Sequence, residues 1–291
     1  MIRKDRGTDP KSGRCFFKKV VLILLLVLGI FCFSSIVATP FISAAVFEGI
    51  AKGQPECESE AAEGRVLFAV DNPKGTVILA PGIRNGLFDR RTEAEALNKE
   101  GYNALVYYQD TSELRTLSDS VKILEEQIAY VRKESADIPI FLSGYSLGAY
   151  ASAVETAFDD NIAGIIAIYG FDEANSFMEY CASLYVGKIP AALEYPFLYG
   201  MNVIRNGKSA VSGSNALKDS KVPALVIGNA KDSTVVPEEA LYQKLVEDGI
   251  LRKELILYEN NSSEGHSIKG IVGTKAWEQI VDFLRENSYG K

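Results

Sequence analysis

The pentapeptide Gly144-Tyr145-Ser146-Leu147-Gly148 combines residue types and spacing that can do chemistry. A serine hydroxyl is a weak nucleophile at neutral pH and attacks a carbonyl only when a neighbouring base takes its proton. A G-x-S-x-G supplies the geometry when a strand enters it and a helix leaves it. The serine then sits on a sharp, strained turn above the sheet, and the glycines let strand and helix approach closely. Here Ile138-Pro139-Ile140-Phe141-Leu142 precedes the motif as a short buried strand, and residues 147–154 read as the start of a helix.

The chain has one histidine, His266, downstream of the serine. A neutral imidazole suits the role of base because histidine titrates near neutrality. It follows the last expected strand in a polar turn with Gly265 before it, where a loop would present it. The imidazole in turn needs a carboxylate to fix its tautomer and stabilise the imidazolium that forms. Asp232, in Gly228-Asn229-Ala230-Lys231-Asp232-Ser233, lies just past a strand-like run and is the first choice. Asp172, after the preceding strand, is the rival acid, and Glu264 reads as solvent-exposed.

Acyl chemistry at Ser146 would also need two donors for an oxyanion. One is the backbone N–H of Leu147, at the start of the helix. The other is expected from the loop Pro81-Gly82-Ile83-Arg84-Asn85-Gly86, with the N–H of Ile83 as the choice. Pro81 has no N–H, and Gly82 allows a close approach. Arg84 either meets an anionic substrate group or is a solvated loop residue.

Elements to position these groups alternate along the chain. Strands are expected at 65–70, 76–80, 103–108, 139–142, 163–168, 222–227 and 254–258. Helices are expected at 88–100, 118–133, 237–247 and 276–286. Continuous apolar strands between helices predict an α/β fold, a mostly parallel sheet covered on both faces. Residues 171–215 break the alternation and carry many aromatics, among them Phe171, Phe177, Tyr180, Tyr195 and Tyr199. The interval is too long for a structureless loop, so a small helical cap is expected.

Charge is unevenly spread. Residues 1–19 carry net +5, whereas the whole chain carries −7. The acidic remainder gives no reason to expect nucleic acid as a partner. Residues 20–37 form an apolar run interrupted only by Ser34 and Ser35, long enough to span a bilayer. The basic flank predicts a cytoplasmic N-terminus and an outer domain. The expected organisation is a basic tail (1–19), a transmembrane signal anchor (20–38), a stalk (39–63) and a catalytic-type domain (64–291) containing the cap. Cleavage near Ser43-Ala44-Ala45 would instead release the domain. Of the four cysteines, Cys57 and Cys181 fall in the outer domain, where they either pair or act as small apolar residues. No C-x-x-C or His/Cys cluster is present, so neither a metal nor a cofactor is expected.

The Pro81-Gly82-Ile83 loop, the G-x-S-x-G, the 228–237 acid segment and Gly265-His266 fall in the chain order Ser, Asp, His. From about Arg65 onward the chain thus resembles the α/β-hydrolase superfamily. It is most similar to the branch of monoacylglycerol lipases, serine aminopeptidase-like hydrolases and dienelactone-hydrolase-like esterases. That resemblance implies a nucleophile at Ser146, an acid at Asp232, a base at His266, oxyanion donors at Ile83 and Leu147, and a cap over the site. Pro81-Gly82 departs from the His-Gly of many relatives. The expected activity is cleavage of a small or lipid-like carboxylic ester. A peptidase of the same fold and a non-catalytic binding module are the alternatives, since the fold hosts many functions.

Overall fold

The computed structural model describes residues 10–57, 64–135, 137–229, 231–250, 254–257 and 265–288; the side chains of 10–19, 208 and 254–257 lie outside that description. The expected turn at 260–264, with Glu264, and the end of the last expected strand at Tyr258 fall outside it as well.

Among the described residues, seven strands form one sheet: β1 (Arg65–Phe68), β2 (Thr76–Ala80), β3 (Asn103–Tyr107), β4 (Ile140–Tyr145), β5 (Gly164–Ile168), β6 (Ala224–Gly228) and β7 (Glu254–Leu257). Their order is β1-β3-β2-β4-β5-β6-β7. Only β1 is antiparallel, paired with β3 at the edge. The others run parallel, with β4 central and Ala80 opposite Gly144 in the β2–β4 register.

The strands feed two separate cores, because successive side chains point to opposite faces. Ile78, Leu105, Leu142, Ile165 and Val226 pack against α3 (Asp119–Glu134), α4 (Leu147–Glu155) and α8 (Leu241–Glu247). Val77, Val106, Phe141, Ile166 and Leu225 pack against α2 (Arg91–Lys99) and α9 (Lys275–Ser288). The long helix α3 fits its sequence pattern: Val121, Leu124, Ile128 and Val131 all face the core.

The insertion between β5 and β6 forms α5 (Ala174–Val186), α6 (Lys188–Asn206) and α7 (Gly213–Asp219). The first two make a long hairpin turning at Gly187, whose φ of 87° suits glycine. The hairpin is tied to the domain through its last turns. Asn202 donates to Ser118 Oγ at 3.1 Å and to Asn175 Oδ1 at 3.0 Å, and Asn206 donates to Thr116 Oγ1 at 2.6 Å. Arg205 forms an ion pair with Asp119 at 2.8 Å.

The N-terminal segment differs from the expectation of an anchor followed by a stalk. One helix, α1 (Pro10–Ala51), runs through Pro40 and well into the expected stalk. Its stretch from Val20 to Ala51 is long and apolar enough to cross a membrane. Its far end is docked: Phe47 is buried in the core, and Ser43 donates to Arg115 O. The helical i, i+4 recurrence of Ser35, Thr39, Ser43 and Phe47 places all four on one buried stripe. Cys181 has a free thiol in α5, so the pairing with Cys57 is not made.

Candidate active site

β4 ends at Tyr145 and α4 starts at Leu147, leaving Ser146 on the turn with φ 54° and ψ −114°. That is a strained backbone for a residue other than glycine. It holds because the two flanking positions cannot carry side chains. A Cβ on Gly144 would lie 2.1 Å from Gly148 O, and one on Gly148 would lie 2.3 Å from Ala80 O.

The structure brings Ser146, His266 and Asp232 together. His266 Nε2 lies 3.0 Å from Ser146 Oγ, and His266 Nδ1 lies 2.6 Å from Asp232 Oδ2. The other carboxylate oxygen of Asp232 accepts from the amides of Thr234 and Val235, both at 2.9 Å. The carboxylate is therefore fixed at both oxygens, one by its own loop and one by the imidazole. The backbone at Gly265 and His266 is fixed too: Tyr145 Oη donates to His266 O at 2.7 Å, and Asn229 donates to Gly265 O at 2.5 Å.

Asp172 takes a different part. It accepts from the amide and hydroxyl of Ser214, at 2.7 and 3.1 Å, at the start of α7. Burial pushes its pKa upward against those hydrogen bonds, and it has no contact with the imidazole in this arrangement. Arg84 is exposed on its loop.

The loop after β2 is held in detail. Asn85 Oδ1 accepts from the amide of Gly82 at 2.6 Å, so that N–H is engaged within the loop. Ile83 O accepts from Thr111 Oγ1. Leu147 occupies the first turn of α4, where backbone amides have no carbonyl one turn behind them. Those are the surroundings of the two expected oxyanion donors.

Three supporting residues escaped the sequence reading. Arg90 is buried and donates to Ala80 O at 3.1 Å, to Ser143 O and to Ser143 Oγ at 2.9 Å, while pairing with Glu93. It thus ties together the ends of β2 and β4, where the oxyanion loop and the serine turn begin. Gln54, just past α1, donates to Asn85 O at 3.0 Å and Gln109 O at 2.8 Å, and accepts from Thr111 N at 3.0 Å. Tyr145, the x of the motif, holds the backbone at His266 as described. A signal existed only for Arg90, whose Glu93 sits three residues on in an otherwise apolar-faced turn.

A sheet of this order, with the nucleophile turn after its central strand, is the α/β-hydrolase fold. No protein-family model and no curated protein matches the chain. Solved structures do resemble it. An esterase from Pyrococcus furiosus superposes with a TM-score of 0.57 at 17% identity, covering 80% of this chain and 97% of that one. The acylaminoacyl peptidase of Pyrococcus horikoshii gives 0.53 at 15% identity, over 82% of this chain and 39% of its own. The α/β hydrolase GrgF from a Penicillium species gives 0.52 at 17% identity, over 76% and 93%. At these identities the likeness establishes the fold.

Proposed function

We propose that this chain is a membrane-anchored serine hydrolase that cleaves carboxylic esters through an acyl-enzyme on Ser146. The observation that carries the reading is the Ser146–His266–Asp232 relay at 3.0 and 2.6 Å. Ser146 Oγ attacks the acyl carbon while its proton passes to His266 Nε2. The carbonyl oxygen becomes an oxyanion, received by the N–H groups of Leu147 and Ile83. The ester C–O bond then breaks, and the leaving alkoxide takes the proton from the imidazolium. Water repeats the sequence in reverse, giving its proton to His266 and freeing the acid and Ser146. Asp232 remains ionised throughout, orienting the ring and balancing its charge. The helix α1 supports the anchor: no residue from 20 to 34 of its apolar stretch is buried, unlike the core helix of a soluble protein.

The test uses the full chain in mild detergent with p-nitrophenyl esters of increasing acyl length and a matching amide. Wild type is expected to turn over the esters, and Ser146→Ala to lose about 10⁴-fold or more in kcat. Retained activity in that variant would refute the assignment, and faster cleavage of the amide would favour the peptidase alternative. For the anchor, the intact chain should remain with membranes after an alkaline wash. Recovery of a shortened soluble form would favour cleavage.

A further inference from the structure

The α5–α6 hairpin exposes apolar side chains that nothing among the described residues covers. Around its turn, Leu184, Tyr185, Val186, Ile189 and Leu193 are 66, 89, 60, 76 and 54% exposed. From Tyr180 to Ile204 only Lys188 and Glu194 are charged. A soluble cap seldom leaves such a patch facing water.

Its position relative to α1 says what covers it. The two helices leave the domain from one place, because Ser43 of α1 bonds to Arg115 O, while Asn206 and Arg205 of α6 hold Thr116 and Asp119. They meet again farther out. Ser35 Oγ donates to Glu194 Oε1 at 3.0 Å, and the rings of Phe31 and Phe197 stand edge to face at 6.0 Å. From the first anchors to these contacts is 8–12 residues on either helix, about 12–18 Å of rise. So α6 packs against α1 some way out from these anchors, with the contacts in crossed order (Ser35 with the outer Glu194, Phe31 with the inner Phe197), and the hairpin turn lies beyond Glu194 along α6. Phe31 and Ser35 belong to the apolar run expected to cross the bilayer. Whatever solvent surrounds α1 there must also surround the hairpin. Glu194 has its partner in Ser35, and the long stem of Lys188 can carry its ammonium toward the headgroups.

The same end of the sheet holds the candidate site. Gln54, after α1, bonds to the loops following β2 and β3, and Ile50 and Ile83 both pack on the core beneath. At the other edge of the site, a ladder of rings joins α4 to the hairpin. Tyr150–Phe171 and Phe171–Phe177 stack at 4.8 and 4.4 Å, and Tyr180 follows at 6.2 Å.

The geometry points to a second membrane element: the α5–α6 hairpin dips beside α1 into the outer leaflet, and the substrate is a fatty-acyl ester lipid resident in that leaflet. The substrate class rests on the serine-hydrolase reading above; the placement of the hairpin rests on that of α1 as a membrane helix.

The experiment uses the full chain reconstituted in vesicles of phosphatidylcholine or its brominated analogue. Tryptophan is introduced singly as Tyr185→Trp or Ile189→Trp, with Ile30→Trp as the reference on α1. The native Trp277, buried on α9, serves as the reference in the domain. Brominated lipid is expected to quench positions 185 and 189 as it quenches position 30, and to spare Trp277. Quenching at 30 without quenching at 185 and 189 would overturn the placement, as would cross-linking of two copies through those positions. Absence of quenching at 30 would overturn it as well, by removing the membrane from α1.

The substrate is tested with Tyr185→Glu/Ile189→Glu. Turnover of a fluorogenic glycerolipid ester in the vesicles should fall about tenfold or more, while turnover of p-nitrophenyl acetate changes less than about twofold. Equal effects on the two esters, or none, would refute a lipid substrate. Failure of wild type to cleave any ester would refute the hydrolase reading and the substrate class with it, and the quenching would still decide the hairpin.

Discussion

The serine turn and the cap hairpin use similar apolar residues to opposite ends. In α4 every residue from Leu147 to Glu155 is buried, and the turn before it tolerates no added atom. In the hairpin, leucine, isoleucine and tyrosine face outward around a glycine whose Cβ would meet nothing within 4 Å. The first region gains its stability from close packing against protein, which supports a strained Ser146. The second is fastened at its base, through Asn202, Asn206, Arg205 and the Phe171–Phe177 stack, and farther out against α1 at Phe31 and Ser35. Rigid chemistry and an apolar contact surface are thus built on adjacent connections of one sheet.

The largest expected effects lie in the relay. His266→Ala and Asp232→Asn should each lower kcat by about 10⁴-fold, measured on a soluble ester, with little change in far-UV circular dichroism. An Asp232→Asn enzyme of nearly full activity would break the comparison at its rigid end. Next comes the glycine packing. Gly148→Ala drives a Cβ into Ala80 O and should destabilise the domain by about 4 kcal/mol or more, seen as a fall in Tm of roughly 10 °C. Gly187→Ala in the hairpin has room for its Cβ and should cost only the glycine-specific backbone of φ 87° and ψ 160°, about 1–3 kcal/mol.

Two carboxylates sharpen the contrast with opposite pH signs. Glu155, at the end of α4, is pushed up to about 8 by burial and by Glu125 and Asp159, against the pull of Arg132. Its Oε2 is buried without a hydrogen-bond partner, which suits the protonated form. A folded-state pKa above the ordinary value means the contribution is complete below about 4.5 and is lost as pH rises through about 8. Glu155→Gln should therefore raise Tm at pH 8 by a few degrees and change it little at pH 4. Asp119, at the joint of the hairpin, behaves in reverse. Burial opposes its ionisation, but the amides of Arg115 and Thr116 and the side chains of Arg205 and Asn206 outweigh it and hold its pKa below the usual value. Its contribution is present above the ordinary carboxylate range and is lost as pH falls through the lowered pKa. Hydrogen exchange in the last turn of α6 should quicken in acid, and Asp119→Asn should remove that pH dependence. This is the smallest expected effect, since Arg205 is largely exposed.

The parts legible in the sequence were those with short-range causes. Helix α3 appears one residue from its expected bounds because its apolar period is strict. The grouping of Ser146, Asp232 and His266 follows chain order on a sheet whose strands were continuous apolar runs. The helix expected at 88–100 begins only at Arg91, since 86–90 are taken up in turns, with Gly86 and Asp89 bonded to each other. The docking of Phe47 and Gln54 was not legible, because it depends on partners about 30 or more residues away. Nor was the course of the cap. An apolar residue on a helix reads alike whether it faces a core or a lipid, and only the contacts with Phe31 and Ser35 distinguish them.

The most direct test of the central claim is the site of covalent modification by a fluorophosphonate on the full chain, located by peptide mass spectrometry. One adduct is expected, on Ser146, lost in His266→Ala although the serine remains. A folded wild-type chain that forms no adduct, or forms it equally without His266, would contradict an activated serine.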